Sequence, residues 1–313
     1  MSARFEDVDL ADVDRWCRTH LGTNVAEELF RVGHLSAVIG LRLGSGRPIV
    51  VKVRRPAERL AACWSAHQHL FKRGFPCPEP LVGPEPLGDH AASAEALVTG
   101  GAVFPTSGRA AGPFAHSLAR LIELAPRRDE LPTLEPPLPW TSPSHRAPGL
   151  WPWPDDQDID LNTIDGPAWI DEAGKGARDR LSLVTREGSP EPIVGHGDWY
   201  TANLRWRGHE LHVAYDWDSV IAESEPVIVG LAAALYPATR DGTEATVEET
   251  QAFIDAYAGF RGHPFTRAQS EECWAAGLWN RSFDAKKQFA ARGQVRSLSQ
   301  AEARERLRKA GTG

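Results

Sequence analysis

The residues best suited to chemistry lie in one short stretch, residues 196–219. It reads His-Gly-Asp-Trp-Tyr-Thr-Ala-Asn, then a run of alternating apolar and polar residues, then Asp-Trp-Asp-Ser. The carboxylate of Asp198 can accept a proton from an attacking hydroxyl group, and Asn203 and Asp216 offer the hard oxygen ligands that Mg²⁺ prefers. An acid, an amide and a second acid in this order predict transfer of a phosphoryl group to a hydroxyl.

Local sequence places these residues on a loop and a hairpin. An apolar run, Ile193-Val194, ends at Gly195 and Gly197, just before Asp198. After Asn203, apolar and polar residues alternate on both sides of Gly208, which predicts two antiparallel strands with one buried face. Such a hairpin would carry Asn203 at its entry and Asp216 at its exit, so both would lie at the same end of a two-stranded ribbon.

This segment resembles the aminoglycoside phosphotransferase and choline kinase-like family of small-molecule kinases. The signature of that family is His-Gly-Asp, four residues, Asn, and later Asp-(Trp or Phe)-(Asp or Glu). The resemblance implies that Asp198 is the catalytic base, that Asn203 and Asp216 bind Mg²⁺, and that His196 braces the loop. Asp218 matches the second acidic position.

The resemblance also implies a fold, an α+β bilobal protein-kinase-like architecture. Residues 1–100 would form a nucleotide-covering N-lobe of antiparallel sheet plus helix. Residues 101–313 would form a mostly helical C-lobe with the catalytic loop and substrate-binding helices. The implied cofactors are ATP or GTP, together with Mg²⁺.

Three candidate nucleotide contacts lie in the first hundred residues. Ser36 follows Gly33 in a turn between apolar runs, where its hydroxyl could donate to a phosphate, although a plain hairpin turn fits as well. Lys52 stands alone in a Val-Lys-Val strand and would neutralise phosphates, the alternative being an edge-strand lysine. Val98 ends an apolar run that enters Gly100-Gly101, where backbone groups would bind an adenine edge near a lobe boundary.

Two departures from the family pattern concern the surroundings of these residues. Relatives usually carry a Glu in the helix that follows the lysine strand. Here residues 57–73 offer only Glu58, near the helix start, so either Glu58 or phosphate alone would hold Lys52. The family also has Asp-Leu-Ala where residues 229–232 read Val-Gly-Leu-Ala, so a brace on the catalytic loop is missing or replaced.

Residues 126–160 combine many prolines with three tryptophans and an acidic run, Asp155 to Asp160. Such a stretch does not form regular helix or sheet for long. It predicts either an irregular surface loop or a lid that adds the aromatic walls of Trp140, Trp151 and Trp153 to a substrate cleft.

Composition excludes several classes of protein. The net charge of -7 argues against nucleic acid as a partner and is compatible with cationic ligands. No apolar run is long enough for a membrane span, and the acidic N-terminus has no signal-peptide pattern, so we expect a cytoplasmic protein without a membrane partner. The four cysteines are far apart in sequence and indicate neither a zinc site nor a disulfide framework.

The predicted function is therefore ATP-dependent transfer of the γ-phosphoryl group to a hydroxyl of a small molecule. An aminoglycoside-type antibiotic, held by the acidic run, is the leading acceptor. An amino alcohol, a sugar or a macrolide-like natural product would use the same machinery. A nucleotide-binding regulatory protein without turnover is the remaining alternative, although the intact Asp198, Asn203 and Asp216 disfavour it.

Overall fold

The computed structural model describes residues 8–33, 35–104, 110–141, 143, 145, 148–186, 191–238 and 244–312. The acidic N-terminal residues 1–7 and His34 of the predicted phosphate-covering turn lie outside the described residues. The chain divides into two compact units, Met1–Gly100 with Leu131–Pro136, and Gly101–Glu130 with Pro137–Gly313. Nucleotide covering by the first unit and catalysis by the second are functional predictions.

The first unit is an antiparallel sheet with two helices. Helix α1, Leu10–Leu21, begins after Asp9, whose side chain accepts a hydrogen bond from Ala11 N. The sheet has the order β1-β2-β3-β5-β4. Its strands are β1 Val25–Gly33, β2 Ala37–Leu43, β3 Pro48–Arg54, β4 Pro80–Leu87 and β5 His90–Ala96, and helix α2, Arg59–Lys72, lies between β3 and β4 in sequence.

Both faces of strand β3 are buried, which suits its central position in the sheet. Because side chains alternate along a strand, Ile49, Val51 and Val53 share one face, and they belong to the apolar core formed with helix α1. Lys52 therefore projects from the opposite face. A charge at such a position requires a partner inside the protein.

The second unit is mostly helical and contains two small hairpin-like sheets. Its helices are α3 Ala111–Leu124, α4 Ala168–Arg186, α5 Glu225–Leu235, α6 Val247–Arg261, α7 Arg267–Arg292 and α8 Gln300–Lys309. Strand β6, Ile193–His196, pairs with β9, Val220–Glu223, and β7, Leu204–Arg207, pairs with β8, Glu210–Ala214. The predicted N-terminal antiparallel sheet and helical C-terminal region are both confirmed.

Helices α5 and α7 cross at a pair of glycines. A Cβ atom on Gly230 would clash with the carbonyl of Cys273, and one on Gly277 would lie 2.9 Å from the carbonyl oxygen of Gly230. This close approach accounts for glycine within the Val-Gly-Leu-Ala segment. Within the described residues, no helix has the length and apolarity needed to cross a membrane.

Candidate active site

The predicted hairpin forms and brings Asn203 next to Asp216. Leu204 pairs with Ala214 in the register of strands β7 and β8. One step outside the strands, Tyr215 N donates to Asn203 O at 2.8 Å. Residues separated by the whole hairpin therefore meet at its open end, as their spacing predicts.

Asn203 is held by the loop that carries Asp198. Its Nδ2 atom donates to the backbone oxygen and to Oδ2 of Asp198, both at 2.9 Å. With the amide nitrogen used in this way, Oδ1 is the atom that can serve as a metal ligand. The contact thus fixes both the direction of the Asp198 carboxylate and the orientation of the Asn203 amide.

Asp216 has an uncommon backbone conformation. Its φ of 62° and ψ of 53° lie in the left-handed region, and among the described residues it is the one non-glycine residue with positive φ. Ser219 Oγ donates to Asp216 Oδ2 at 3.0 Å, and Ser219 N donates to Asp216 O at the same distance. Strained conformations of this kind persist where the surroundings impose them, and they concentrate at functional sites.

The electrostatics of this cluster favour a bound cation. The pKa of Asp198 is raised from 3.8 to about 7, mainly by burial and then by the negative charges of Asp216 and Asp155, while the Asn203 hydrogen bond opposes the rise. A divalent cation would offset the repulsion between the carboxylates. The oxygen donors of Asn203 and Asp216 suit Mg²⁺, which commonly takes its remaining ligands from water and substrate phosphates.

No group of three or more His, Cys, Asp or Glu side chains in the described part of the chain could hold a metal ion by itself. Asn203 and Asp216 together offer two oxygen donors, one from an amide and one from a carboxylate.

His196 is buried and braces the start of the loop. Asp198 N donates to His196 Nδ1 at 3.2 Å, and His196 Nε2 lies 3.1 Å from Tyr215 O. Because Nδ1 accepts, Nε2 carries the hydrogen and donates to the carbonyl. One imidazole therefore joins the backbone at the predicted base to the end of the hairpin.

Three further hydrogen bonds hold the loop around Asp198, and the sequence did not predict them. Trp140 Nε1 donates to Gly197 O at 3.2 Å, Trp199 Nε1 donates to Phe114 O at 3.1 Å, and Thr201 Oγ1 donates to Tyr236 O at 2.9 Å. The last two contacts tie the loop to helix α3 and to the end of helix α5. The loop is therefore braced although helix α5 lacks the acid of the family pattern.

The tryptophan-rich segment has more than one role. Trp151 is buried, stacks on Trp279 and donates from Nε1 to Asp171 Oδ1 at 2.7 Å. Of the two alternatives for this segment, a lid would not use Trp151 as an aromatic wall, because its ring belongs to the core of the second unit. Trp153, in contrast, is 54% exposed.

The aspartates between residues 155 and 160 also differ in their contacts and exposure. Asp156 forms an ion pair with Lys287 at 2.6 Å, and Asp160 accepts from Asn162 N, which begins a short 3₁₀ turn at residues 161–163. Asp155 and Asp158 are exposed. The negative charge of Asp155 is the smallest of the influences that raise the pKa of Asp198.

Lys52 has a partner that the sequence analysis missed. Its Nζ lies 3.3 Å from Glu95 Oε1, and the two residues are 8% and 7% exposed. Glu58 is exposed at the start of helix α2. The expectation that Glu58 is the available acid, or that phosphate alone holds Lys52, is therefore corrected in favour of Glu95 on strand β5.

The other two predicted nucleotide contacts lie elsewhere in the first unit. Ser36 is half-buried in the bend between strands β1 and β2, and Val98 follows the end of strand β5. Gly100 and Gly101 both have positive φ, 85° and 72°. A Cβ on Gly101 would lie 2.8 Å from His212 Cδ2, so this position requires glycine for both conformation and space.

The sequence matches the profile of a known protein family. Residues 28–268 match the sequence profile of the phosphotransferase enzyme family, APH. No curated protein sequence matches the chain significantly. Among solved structures, a thermostable mutant of aminoglycoside phosphotransferase APH(4)-Ia, in ternary complex with AMP-PNP and hygromycin B, aligns with a TM-score of 0.59 at 14% identity, covering 96% of this chain and 99% of that chain.

Two other similar structures are named as kinases of other small molecules. Amicoumacin kinase hAmiN, in complex with AMP-PNP, Ca²⁺ and Ami, aligns with a TM-score of 0.58 at 14% identity, covering 91% of this chain and 86% of that chain. A putative fructosamine-3-kinase from Thermobifida fusca YX-ER1 aligns with a TM-score of 0.52 at 16% identity, covering 96% and 99%. These alignments confirm the protein-kinase-like fold.

Proposed function

Because this chain belongs to the phosphotransferase enzyme family, we propose that it transfers the γ-phosphoryl group of ATP to a hydroxyl of a small molecule. An aminoglycoside-type antibiotic is the acceptor that we favour. Mg²⁺ accompanies the nucleotide, and GTP is the alternative donor. Asp198 is the proposed base, and Asn203 and Asp216 are the proposed metal ligands.

One observation carries this proposal, the contact between Asn203 and Asp198. A single amide donates to the base at 2.9 Å and keeps its oxygen for a cation. The cation-binding group and the proton-accepting group are thereby fixed relative to each other. Phosphoryl transfer depends on such positioning, because the reaction requires little covalent chemistry from the protein.

Asp198 would orient the acceptor hydroxyl and take its proton. A pKa of about 7 means that this carboxyl is partly deprotonated at neutral pH before any cation binds. When bound, Mg²⁺ would neutralise phosphate oxygens and favour the charged form of Asp198. Ser219 would keep the Asp216 carboxylate directed toward the same site through its 3.0 Å hydrogen bond.

The charge around the site favours a cationic acceptor. Asp155 is exposed and contributes to the raised pKa of Asp198. An ammonium group on the acceptor would be attracted to Asp155. Structures with this fold have been solved in complex with hygromycin B and with Ami, so the fold accommodates different small molecules.

Isothermal titration with ATP and with GTP, each with and without excess Mg²⁺, tests the nucleotide part of the proposal. We expect Mg²⁺-dependent binding of at least one nucleotide, and a rise in melting temperature because the ligand binds the folded state. Absence of binding by both nucleotides in the presence of Mg²⁺ would contradict the kinase function. A protein that binds nucleotide but releases no ADP with any hydroxylated compound would instead be the regulatory alternative.

A further inference from the structure

The acid that faces Lys52 comes from the sheet and not from a helix. In the register of β3 and β5, Lys52 lies opposite Ser93, and Val50 lies opposite Glu95. Lys52 and Glu95 are therefore diagonal neighbours on the same face, a separation that long side chains can bridge. Their charged ends meet at 3.3 Å.

Helix α2 offers no competing acid. The helix spans Arg59–Lys72 and contains no Asp or Glu, and one of its buried side chains is His67, which is 2% exposed. His67 Nε2 donates to Pro78 O at 2.8 Å. Burial, and then the charge of Lys52, lower the pKa of His67 to about 3, so its ring is neutral and adds no second cation beside the lysine.

Strand β5 continues toward the predicted adenine contact. Glu95 lies in the last part of the strand, which ends at Ala96, and Val98 follows it before the glycine pair. Leu97 N donates to Pro48 O at 3.2 Å, so the chain beyond the strand stays attached to strand β3. The acid beside Lys52 and the segment expected to bind adenine are therefore parts of one continuous, sheet-bound stretch.

We propose that Glu95 is the residue that positions Lys52 for the nucleotide phosphates, in place of an acid from helix α2. The proposal rests on the nucleotide-binding function proposed above. Since the hydrogen-bonded register of two adjacent strands fixes the pair, the ammonium group is preorganised before nucleotide arrives. Displacement of helix α2 would not remove the acidic partner of the lysine.

The test compares Glu95→Gln with Glu58→Gln, a matched removal of one negative charge at the exposed helix start. Binding of Mg·AMP-PNP and of adenosine is measured for each variant by isothermal titration. Adenosine has no phosphates, so a loss caused by general damage to the unit weakens both ligands, whereas misplacement of Lys52 weakens Mg·AMP-PNP alone. We expect Glu95→Gln to weaken Mg·AMP-PNP about tenfold or more, with adenosine affinity kept, and Glu58→Gln to match the wild type.

A double variant with Lys52→Met completes the experiment. If Glu95 acts through Lys52, then Glu95→Gln has no further effect on Mg·AMP-PNP affinity once the lysine is gone. Equal losses for both ligands, additive losses in the double variant, or wild-type affinity in Glu95→Gln would each overturn the proposal. Failure of the wild type to bind Mg·AMP-PNP would overturn the proposed function itself, and with it this role of Glu95.

Discussion

Replacement of Asp198 by Asn should stabilise the protein above neutral pH. The pKa of the half-buried Asp198 carboxyl rises from 3.8 to about 7 on folding, mainly through desolvation and then through Asp216. Folding therefore takes up a proton between these values, and stability falls as the pH rises through this window. Asn carries no charge and keeps an oxygen that can accept from Asn203 Nδ2, so the variant avoids this loss.

The expected size of the effect follows from the shift. A rise from 3.8 to about 7 is about three units, and one unit corresponds to about 1.4 kcal/mol, so the stabilisation has an upper limit of about 4 kcal/mol. Below pH 4 the carboxyl is neutral in both states, and variant and wild type should differ little. Most of the difference should develop between about pH 4 and pH 7 and persist above it.

Urea unfolding between pH 4 and pH 8, without metal or nucleotide, measures this difference. Asp165→Asn, at an exposed position, is the matched control for the removal of one carboxylate. Addition of Mg·ATP should reduce the advantage of Asp198→Asn, since a nearby cation favours the charged carboxylate. The raised pKa of Asp198 would be refuted if the extra stability of Asp198→Asn did not grow with pH, or if this variant were less stable than the wild type at pH 8.

Further predictions concern the site and its support. Asp198→Ala should lower turnover by about 10²- to 10⁴-fold with nearly unchanged nucleotide affinity, as measured by steady-state kinetics and titration. Asp216→Ala should abolish Mg²⁺-dependent nucleotide binding, which titration with and without Mg²⁺ checks. Asp155→Asn should raise the KM for a cationic acceptor, less so at high salt, and unchanged KM would remove the electrostatic argument for such acceptors. Gly230→Ala should destabilise the second unit by about 1–3 kcal/mol in urea unfolding, because the methyl group meets the backbone of helix α7.

Local patterns in the sequence were sufficient to predict the hairpin and the meeting of its two ends. The hairpin at 204–214 follows from alternation and a central glycine, and the meeting of Asn203 and Asp216 follows from the hairpin. Most elements of the first unit likewise follow from periodicity and from stop residues such as Gly22. Such features depend on neighbours along the chain, which the sequence displays directly.

The contacts that the sequence analysis missed are long-range. Glu95 meets Lys52 because β3 pairs with β5 rather than with β4, and strand order is not a local property. A signal was nevertheless available. Glu95 stands between Ala94 and Ala96 in an apolar strand, and a lone charge in such a strand needs a partner, the argument already applied to Lys52.

The contacts of Trp140 and Trp151 are also long-range and could not be predicted from the sequence. Nothing in the spacing of Trp140 and Trp151 indicates that one indole donates to Gly197 O while the other stacks on Trp279. Both belong to a proline-rich segment without regular periodicity, so only tertiary packing decides which aromatic side chain enters the core. The left-handed conformation of Asp216 is similarly imposed by its surroundings, since Asp shows only a weak preference for it.

The most direct test of the account is acceptor-dependent phosphoryl transfer by the purified protein. Wild type and Asp198→Ala are incubated with Mg·ATP and a panel of aminoglycosides, amino alcohols and sugars, and both ADP and the mass of each acceptor are followed. We predict that at least one acceptor gains a single phosphoryl group as ADP appears, and that Asp198→Ala suppresses both signals together. ADP release without a modified acceptor, or acceptor phosphorylation that persists at wild-type rate in Asp198→Ala, would contradict it.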